Sequence, residues 1–269
     1  MLIKSASSIS QFWLKFDNPL HILVKRHFLK NGMIQVVDRK TKIRCKCTLG
    51  SSRMFGETWH DKDYNIPHFT IKKDDIVVDI GANQGFFTCY SAFKGAKVYA
   101  FEPCRDSFKT LIENLKTNKL DSRVVAKQWA IEEQNGFVEL MSSNRLGGGM
   151  NTTNTKFAND LELNILKRDK VPCFSLPHII EYFSIDKIRL CKLDCEGAEL
   201  NILKQLKPEH LNKIDSFVLE YHPQAYSLNE LIELLLSWGT HQVSFAEDKS
   251  YCSREIIRVV KNTELTTLV

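Results

Sequence analysis

The stretch Ile76-Val-Val-Asp-Ile-Gly-Ala-Asn-Gln-Gly85 decides the fold class of this 269-residue chain. An apolar run passes through Asp79 into a loop with two glycines, a pattern typical of a buried parallel strand that ends at a ligand-binding edge. A second run, Lys97-Val-Tyr-Ala-Phe-Glu-Pro103, ends in Glu102, 21 positions after Gly81. Together the runs predict a strand, a glycine turn, a helix and a second strand closed by an acid.

The glycine spacing and Glu102 predict an adenosine-containing cofactor. Glycine lets the backbone approach a ligand without a Cβ clash, and a carboxylate can accept hydrogen bonds from both ribose hydroxyls. NAD sites favour Gly-x-Gly-x-x-Gly against a pyrophosphate, whereas this chain has Gly-x-x-x-Gly with Asp79 two residues earlier. That extra negative charge suits a sulfonium and an ammonium, so the prediction is S-adenosylmethionine. The alternative is a strand-turn-helix corner that binds nothing.

The composition, with 43% hydrophobic and 26% charged residues, is typical of a globular protein, and the length fits one large domain. No apolar run approaches the roughly 20 residues that span a bilayer, and a secretory signal pattern is missing, so a cytoplasmic protein is expected. The eight cysteines lack disulfide-like spacing. Cys45-Lys-Cys47 fits alternation along a strand better than a zinc site.

Charge is unevenly distributed along the chain. Residues 1–75 carry a net charge of +7 and the remainder −2, which gives the total of +5. The basic part could meet an acidic substrate, a membrane surface or RNA, or it could be a solvated basic face.

The order of patterns predicts an N-terminal extension followed by alternating strands and helices. The extension, residues 1–70, would hold two short helices broken at Asn18-Pro19 and a hairpin of Met33–Val37 with Lys42–Cys47, before a loop-rich segment over 50–75. The second domain, 71–269, would carry an insert at 136–170. Predicted strands are 76–80, 97–102, 123–128, 188–194, 216–221, 241–246 and 255–261. Predicted helices are 85–93, 104–118, 176–184, 198–206 and 227–238.

The insert is predicted to hold a short strand over Gly136–Met141 and then a loop over Ser142–Thr155. Three consecutive glycines, Gly147–Gly149, lie in that loop. They could let it close over an acceptor as a lid, or the loop could be an idle part of the surface.

Four segments of this sequence resemble the FkbM family of class I methyltransferases. They are Val78-Asp-Ile-Gly-Ala-Asn-Gln-Gly-Phe-Phe-Thr88, Ala100-Phe-Glu-Pro103, Lys192-Leu-Asp-Cys-Glu-Gly-Ala-Glu199 and Phe217-Val-Leu-Glu-Tyr-His-Pro223. The resemblance implies an α/β, Rossmann-like fold with a seven-stranded, mainly parallel sheet whose last strand is antiparallel. It also implies S-adenosyl-L-methionine as methyl donor, S-adenosyl-L-homocysteine as product, and O-methylation of a sugar or natural-product hydroxyl.

The same resemblance predicts the cofactor site residue by residue. The predicted contacts are Asp79, Gly81, Ala82, Asn83, Gly85, Glu102, Pro103, Trp129, Ala130, Asp194 and Glu196. Glu102 would bind the ribose, Trp129 and Ala130 the adenine, and the last two acids would lie near the reacting methyl. Glu57 and Tyr64, in the approach segment, are further candidates beside the cofactor.

Methyl transfer requires that the two reactants be held at attack distance and that the hydroxyl proton be removed. Asp194, Glu220 and His222 are the catalytic candidates, because they lie at the ends of neighbouring predicted strands. Asp194 could instead cap the helix that begins near Ala198, and His222 could be a solvated loop residue. Glu199 is expected only to favour the helix dipole. A metal could lie beside Asp194 and Glu220, but no histidine-rich cluster supports one, so none is predicted.

Three rival functions remain. A nucleic-acid amino-methyltransferase would carry Asn/Asp-Pro-Pro-aromatic after the fourth strand, where this chain reads Asp-Cys-Glu-Gly. An NAD-dependent oxidoreductase would need the third glycine. A non-catalytic module of the same fold is disfavoured by the intact acids. The expected acceptor is therefore a small molecule or glycan, with nucleic acid disfavoured and a homo-oligomer through the N-terminal helices left open.

Overall fold

A mostly parallel seven-stranded sheet forms the centre of the computed structural model, which describes residues 15–28, 32–61, 64, 66, 70–143, 150–245 and 255–265. The strands are β1 Met33–Val37, β2 Arg44–Thr48, β3 Ile76–Ile80, β4 Lys97–Phe101, β5 Val124–Lys127, β6 Ala130–Ile131, β7 Gly136–Ser143, β8 Met150–Thr152, β9 Ile165–Phe174, β10 Leu190–Leu193, β11 Ser216–Tyr221, β12 His241–Phe245 and β13 Glu255–Lys261.

Helices alternate with these strands. They are α1 Pro19–Phe28, α2 Ser52–Gly56, α3 Phe86–Phe93, α4 Arg105–Thr117, α5 Thr155–Asp160, α6 Leu176–Tyr182, α7 Glu199–Leu203, α8 Pro208–Leu211, α9 Leu228–Ser237 and α10 Asn262–Leu265, with a π-helical turn over Glu57–Asp61. The seven strands and five helices predicted from residue 76 onward all form, with ends within three residues of the prediction.

The strand order of the central sheet is β12-β13-β11-β10-β3-β4-β5. The first five strands of this sheet in chain order are parallel, and β13 runs antiparallel between β11 and β12. This is the seven-stranded class I methyltransferase arrangement that the resemblance implied, so the predicted fold class is confirmed. The carboxyl ends of β3, β4, β10 and β11 share one edge of the sheet, where ligands of such folds bind.

Buried apolar side chains cover both faces of the central sheet. Val77 and Val98 pack into one core, whereas Val78 and Tyr99 pack into the other. A strand that is buried on both faces is mostly apolar, as the nearly fully buried β3 is apart from Asp79.

The insert forms a second sheet, which corrects part of the sequence prediction. Its strand order is β6-β9-β7-β8. The prediction of a loop over Ser142–Thr155 is wrong at both ends. In the structure β7 continues to Ser143, Met150–Thr152 is a strand and α5 begins at Thr155. The ten-residue strand β9 was not predicted. The triple-glycine segment lies outside the described residues, so its role as a lid stays a prediction.

The N-terminal hairpin packs beside α4 through two asparagine side chains. Asn114 accepts from the Lys46 N–H at 2.7 Å and donates to its carbonyl at 2.9 Å, and Asn118 makes the same pair of bonds with Arg44. The side-chain amides of these two asparagines, four positions apart, bond to the free edge of β2, where a neighbouring strand would otherwise pair. The hairpin and the helix α1 agree with prediction, while the first predicted helix falls largely outside the described residues.

The segment over 50–75 is more ordered than predicted. It contains α2 and the π-helical turn, whose aromatic side chains join the core. Cys45 and Cys47 alternate with exposed residues on β2, and every described cysteine is a free thiol. Within the described residues no helix has the length and apolar character needed to cross a bilayer. The domain boundary at residue 70 and the cytoplasmic location stay predictions.

Candidate functional site

The glycine loop, residues 81–85, leaves β3 by a turn that requires glycine. Gly81 has a φ of +73°, and a Cβ built on it would lie 1.8 Å from the carbonyl oxygen of Asp194. Gly85 has a φ of +84°, and its Cβ would lie 2.9 Å from Leu111. The amides of Gly81 and Ala82 donate to the Phe101 carbonyl at 3.0 Å, which ties the loop to the end of β4. The loop backbone is thus held between β4 and β10.

Glu102 faces this loop from the end of β4. Its two carboxylate oxygens accept from the N–H groups of Asn83 at 2.7 Å and Cys104 at 2.8 Å. Burial raises the pKa of Glu102 to about 7, against the opposing effect of those hydrogen bonds. The Asn83 Oδ1 atom is buried and has no hydrogen-bond partner among the described residues. A polar ligand that donates hydrogen bonds would satisfy both groups.

Lys192 joins the glycine loop to the acid loop, residues 194–198, and the sequence reasoning missed it. In the parallel register of β3 and β10 it lies directly opposite Asp79, with Nζ 3.2 Å from Oδ1. The same Nζ donates to the Gly81 carbonyl at 3.0 Å and lies 3.6 Å from Asp194 Oδ2. Burial works to lower the pKa of Lys192, but the two carboxylates raise it overall. A lysine inside the otherwise apolar run Leu190–Leu193 was the available signal, because a buried lysine needs an anionic partner.

Asp194, Glu220 and His222 form one group, here called the acid–histidine cluster. One ligand-type atom from each lies within 4.8 Å of the others. The Tyr64 hydroxyl lies 2.9 Å from Asp194 Oδ2 and 3.4 Å from Glu220 Oε2, which brings this predicted tyrosine into the site. Ala198, not Asp194, occupies the N-cap position of α7 and no side chain caps it. The alternative role of Asp194 as a helix cap is therefore wrong.

His222 is buried, so the alternative of a solvated loop histidine is also wrong. Its Nδ1 lies 3.1 Å from Glu199 Oε1, and its Nε2 lies 3.4 Å from Glu196 Oε2 and 3.9 Å from Glu220 Oε1. Burial works to lower the pKa of His222, but Glu199 and Glu196 raise it well above its usual value. The carboxylates at both ring nitrogens thus favour the charged form of the imidazole.

Glu199 was expected only to favour a helix dipole, and the structure gives it more contacts than that. It is fully buried and accepts from the backbone N–H groups of Cys195 and Gly197 and from the Tyr226 hydroxyl. Burial works to raise the pKa of Glu199, but the nearby His222 and the hydrogen bonds lower it to about 2. Nothing in the sequence spacing marked these partners, which come from separate parts of the chain.

The second sheet supports the acid loop from the other side. Thr152 Oγ1 donates to the Glu196 carbonyl at 2.7 Å, and Asn154 Nδ2 donates to the Gly197 carbonyl at 2.9 Å. Both loop residues have positive φ, +54° for Glu196 and +105° for Gly197. These bonds hold a backbone conformation that most side chains disfavour.

Four predicted residues remain: Pro103, Trp129, Ala130 and Glu57. The sheet edge where the glycine loop and the acid loop meet is here called the crevice. Trp129 packs on Phe174 with ring centroids 4.4 Å apart, and Ala130 is buried beside it in β6. Pro103 follows Glu102 in the turn before α4. Glu57 forms an ion pair with Arg53 at 2.6 Å. The adenine contacts of Trp129 and Ala130, and the cofactor contact of Glu57, stay predictions.

The acid–histidine cluster is the one group in the described part of the chain with spacing that suits a metal ion. Its donors already have partners in the protein, because the tyrosine hydroxyl bridges the two carboxylates and the imidazole has carboxylates at both ring nitrogens. These contacts suit proton transfer and hydrogen bonding, and the absence of a metal stays a prediction.

Comparison with known proteins supplies independent information about this site. The family profile described as "Methyltransferase FkbM domain" matches residues 79–241, which is more than half of the chain. This range contains the glycine loop, Glu102 and the acid–histidine cluster.

Individual relatives carry related names. The chain is 28% identical over 198 residues to "Methyltransferase sdnD" of Sordaria araneosa, covering 62% of this chain and 73% of that protein. It is 25% identical over 151 residues to "Hexuronic acid methyltransferase AglP" of Haloferax volcanii, covering 56% and 57%. It is 23% identical over 238 residues to "31-O-demethyl-FK506 methyltransferase FkbM" of Streptomyces tacrolimicus, covering 77% and 87%.

Proposed function

The chain belongs to the FkbM methyltransferase family, and from this membership and the geometry of the crevice we propose that it is an S-adenosylmethionine-dependent O-methyltransferase. The proposed acceptor is a hydroxyl group on a sugar, a glycan or a natural product. Two relatives support this choice, since one is named a hexuronic acid methyltransferase and the other a 31-O-demethyl-FK506 methyltransferase. Nucleic acid is not the proposed acceptor.

One observation carries the proposal: the glycine loop and the acid–histidine cluster meet at a single point of the sheet edge. The backbone of Gly81 lies so close to that of Asp194 that no Cβ fits between them, and Lys192 bonds to both loops. A ligand seated on the glycine loop therefore has one end beside the cluster. Catalysis by proximity requires this arrangement.

The residues present fit S-adenosylmethionine. Glu102 would accept the ribose hydroxyls, because each of its oxygens has only one backbone donor and keeps lone-pair capacity. The unsatisfied Asn83 Oδ1 would accept a further hydrogen bond from the cofactor. The carboxylates of Asp79 and Asp194 would balance its positive charges. The bound cofactor supplies an electrophilic methyl group.

His222 and Asp194 have different roles in the proposed chemistry. Asp194 is held by the Tyr64 hydroxyl and lies near Lys192, so its charge is stabilised and it orients the acceptor by hydrogen bonding. Neutral His222 accepts the hydroxyl proton at Nε2 as the acceptor oxygen takes the methyl group. Glu220, 3.9 Å from Nε2, favours the imidazolium that results. A cationic ligand in the crevice would shift free His222 toward the neutral form it needs.

The test measures methyl transfer to a panel of hydroxylated acceptors. Purified protein is incubated with S-adenosylmethionine and free hexoses, hexuronic acids, glycan oligosaccharides or hydroxylated natural products, and S-adenosylhomocysteine release is followed together with the mass of the acceptor. We expect release that depends on one acceptor class. An RNA panel at low and moderate salt is run in parallel, and acceptor-dependent release with RNA alone would overturn the proposal.

Variants test the assigned residues once an acceptor is found. His222→Ala should lower kcat by roughly 100- to 10,000-fold, the range that a general base contributes. Asp194→Asn should lower kcat and raise KM for the acceptor. The exposed residues His21 and Asp186 provide matched controls as His21→Ala and Asp186→Asn, which should leave the rate unchanged. Near-native rates for both site variants would contradict the mechanism.

A further inference from the structure

A buried carboxylate lies directly behind the acid–histidine cluster. Glu199 is at the start of α7 with no solvent exposure, and its oxygens accept from the Cys195 N–H at 2.8 Å and the Gly197 N–H at 3.1 Å. The Tyr226 hydroxyl donates to it at 3.1 Å, and His222 Nδ1 lies 3.1 Å away. A single side chain therefore contacts the acid loop, the end of β11 and the segment before α9.

The start of a helix does not account for these contacts. An acid in the first turn favours the dipole from an exposed position and needs no further partner. Burial of a carboxylate is unfavourable unless its charge and lone pairs are compensated. In Glu199 that compensation comes from two backbone amides, a hydroxyl and an imidazole.

We propose that Glu199 is a positioning residue that fixes the His222 ring so that Nδ1 faces the buried carboxylate and Nε2 faces the acceptor. This inference rests on the function proposed above and deepens it. The carboxylate of Glu199, 3.1 Å from Nδ1 in an ion-pair contact that is not aligned as a hydrogen bond in this structure, favours the proton on Nδ1 and leaves the lone pair on Nε2, the form required to accept a proton.

The ring has few alternative orientations. The edge of Phe157 meets the His222 ring at 86° with centroids 5.4 Å apart, which limits rotation on that side. Nε2 faces Glu196 at 3.4 Å and Glu220 at 3.9 Å, and Asp194 completes the group of charges around the imidazole. Among these carboxylates Glu199 is the one at Nδ1, so the other three cannot replace it in setting the tautomer.

Glu199 also sets the position of Glu196 relative to the imidazole. It accepts from the amides on either side of Glu196, those of Cys195 and Gly197. The imidazole and the acid that faces its Nε2 therefore share one buried anchor.

The test compares Glu199→Gln with Glu230→Gln. Glu230 is also a first-turn acid, in α9, but it is exposed and pairs with Lys204, so it controls for the loss of a helix-terminal charge. We expect Glu199→Gln to lower kcat by roughly 10- to 100-fold, as loss of an orienting partner does, with KM for the acceptor and the S-adenosylhomocysteine affinity within about twofold of wild type. Glu230→Gln should match wild type throughout.

The pH dependence separates positioning from a general structural role. Because Glu199 favours the imidazolium, its replacement should move the rising limb of the kcat–pH profile to lower pH. The same shift should be visible by nitrogen NMR of His222 in the free protein, where no acceptor is needed. Glu199→Asp, which keeps the charge on a shorter side chain, should restore part of both the rate and the limb position.

Two outcomes would overturn the inference. One is an unchanged His222 titration and Nδ1–H signal in folded Glu199→Gln. The other is an equal loss of kcat and cofactor affinity in that variant with no movement of the pH limb. If Glu199→Gln does not fold, Glu199→Asp replaces it: its carboxylate lies farther from Nδ1, so a smaller shift of the His222 titration in the same direction is expected, and no shift counts against the inference. Since the NMR measurement needs no turnover, it distinguishes failure of this inference from failure of the proposed function.

Discussion

Cofactor affinity should depend on the ionisation of Glu102, and the perturbation that tests this is Glu102→Gln. Each carboxylate oxygen accepts one backbone N–H, from Asn83 and from Cys104. The glutamine side chain keeps one acceptor oxygen, but its NH₂ group faces the backbone N–H that the second carboxylate oxygen accepted. It also lacks the negative charge that would bind the ribose hydroxyls.

The magnitude follows from the lost hydrogen bond. Hydrogen bonds to a charged group are worth about 1.5 to 3 kcal/mol, so S-adenosylhomocysteine should bind roughly 10- to 150-fold more weakly. The pH dependence has a definite sign. The pKa of Glu102 is about 7 in the free protein, and a ligand that prefers the ionised form lowers it in the complex. Affinity should therefore rise with pH up to about 7, by at most tenfold per pH unit, and level off above it.

Isothermal titration calorimetry in buffers of different ionisation enthalpy measures both quantities. Wild type should release protons on binding below pH 7, and Glu102→Gln should release none from this group. Glu113→Gln, which removes an exposed acid on α4 paired with Lys46, is the matched control and should bind as wild type does. Equal affinity and equal proton release in wild type and Glu102→Gln would refute the assignment of Glu102 as the ribose acid.

Three further predictions concern the architecture of the crevice. Gly81→Ala should lower the free energy of unfolding by about 2 to 4 kcal/mol in urea denaturation, because the added Cβ meets the backbone of the acid loop and the φ is positive. Gly56→Ala is the control: its Cβ has its nearest contact at 4.0 Å, so the free energy of unfolding should change little. Lys192→Met leaves the buried Asp79 and the partly buried Asp194 without their cation and should cost about 3 to 5 kcal/mol, against about 0.5 kcal/mol for the exposed Lys204→Met. Methyl transfer should be insensitive to a chelator, since the acid–histidine cluster has protein partners for its donors; loss of activity with EDTA that Mg²⁺ or Mn²⁺ restores would show that a cation is required.

Much of the fold was predictable because its signals are local. The strands β3, β4 and β11 are buried on both faces, so their sequences are continuous apolar runs that stand out from the alternating helices. The glycine loop was predictable for the same reason, because a positive φ and a close backbone approach both require glycine at the turn.

The second sheet could not be predicted, because the first half of β9 shows no apolar alternation and its buried apolar residues, Val171 and Cys173, lie near its end. Its first half is mostly exposed, with Lys167, Arg168, Asp169 and Lys170 in sequence, and a proline follows at 172. Such a strand forms through pairing with β7 and not through its own propensity. The same limit applies to Lys192 and Glu199, because Asp79 and His222 lie far from them in the sequence and become their neighbours only in the folded chain.

The position of β13 has a consequence for how the protein is made. Because it inserts between β11 and β12, the strand that ends near Glu220 keeps an unpaired edge during translation until residues 255–261 leave the ribosome. Parallel pairs such as Val78 with Cys191 also join distant parts of the chain, and such pairings form slowly. We therefore expect nascent chains to depend on chaperones until the final strand has been inserted.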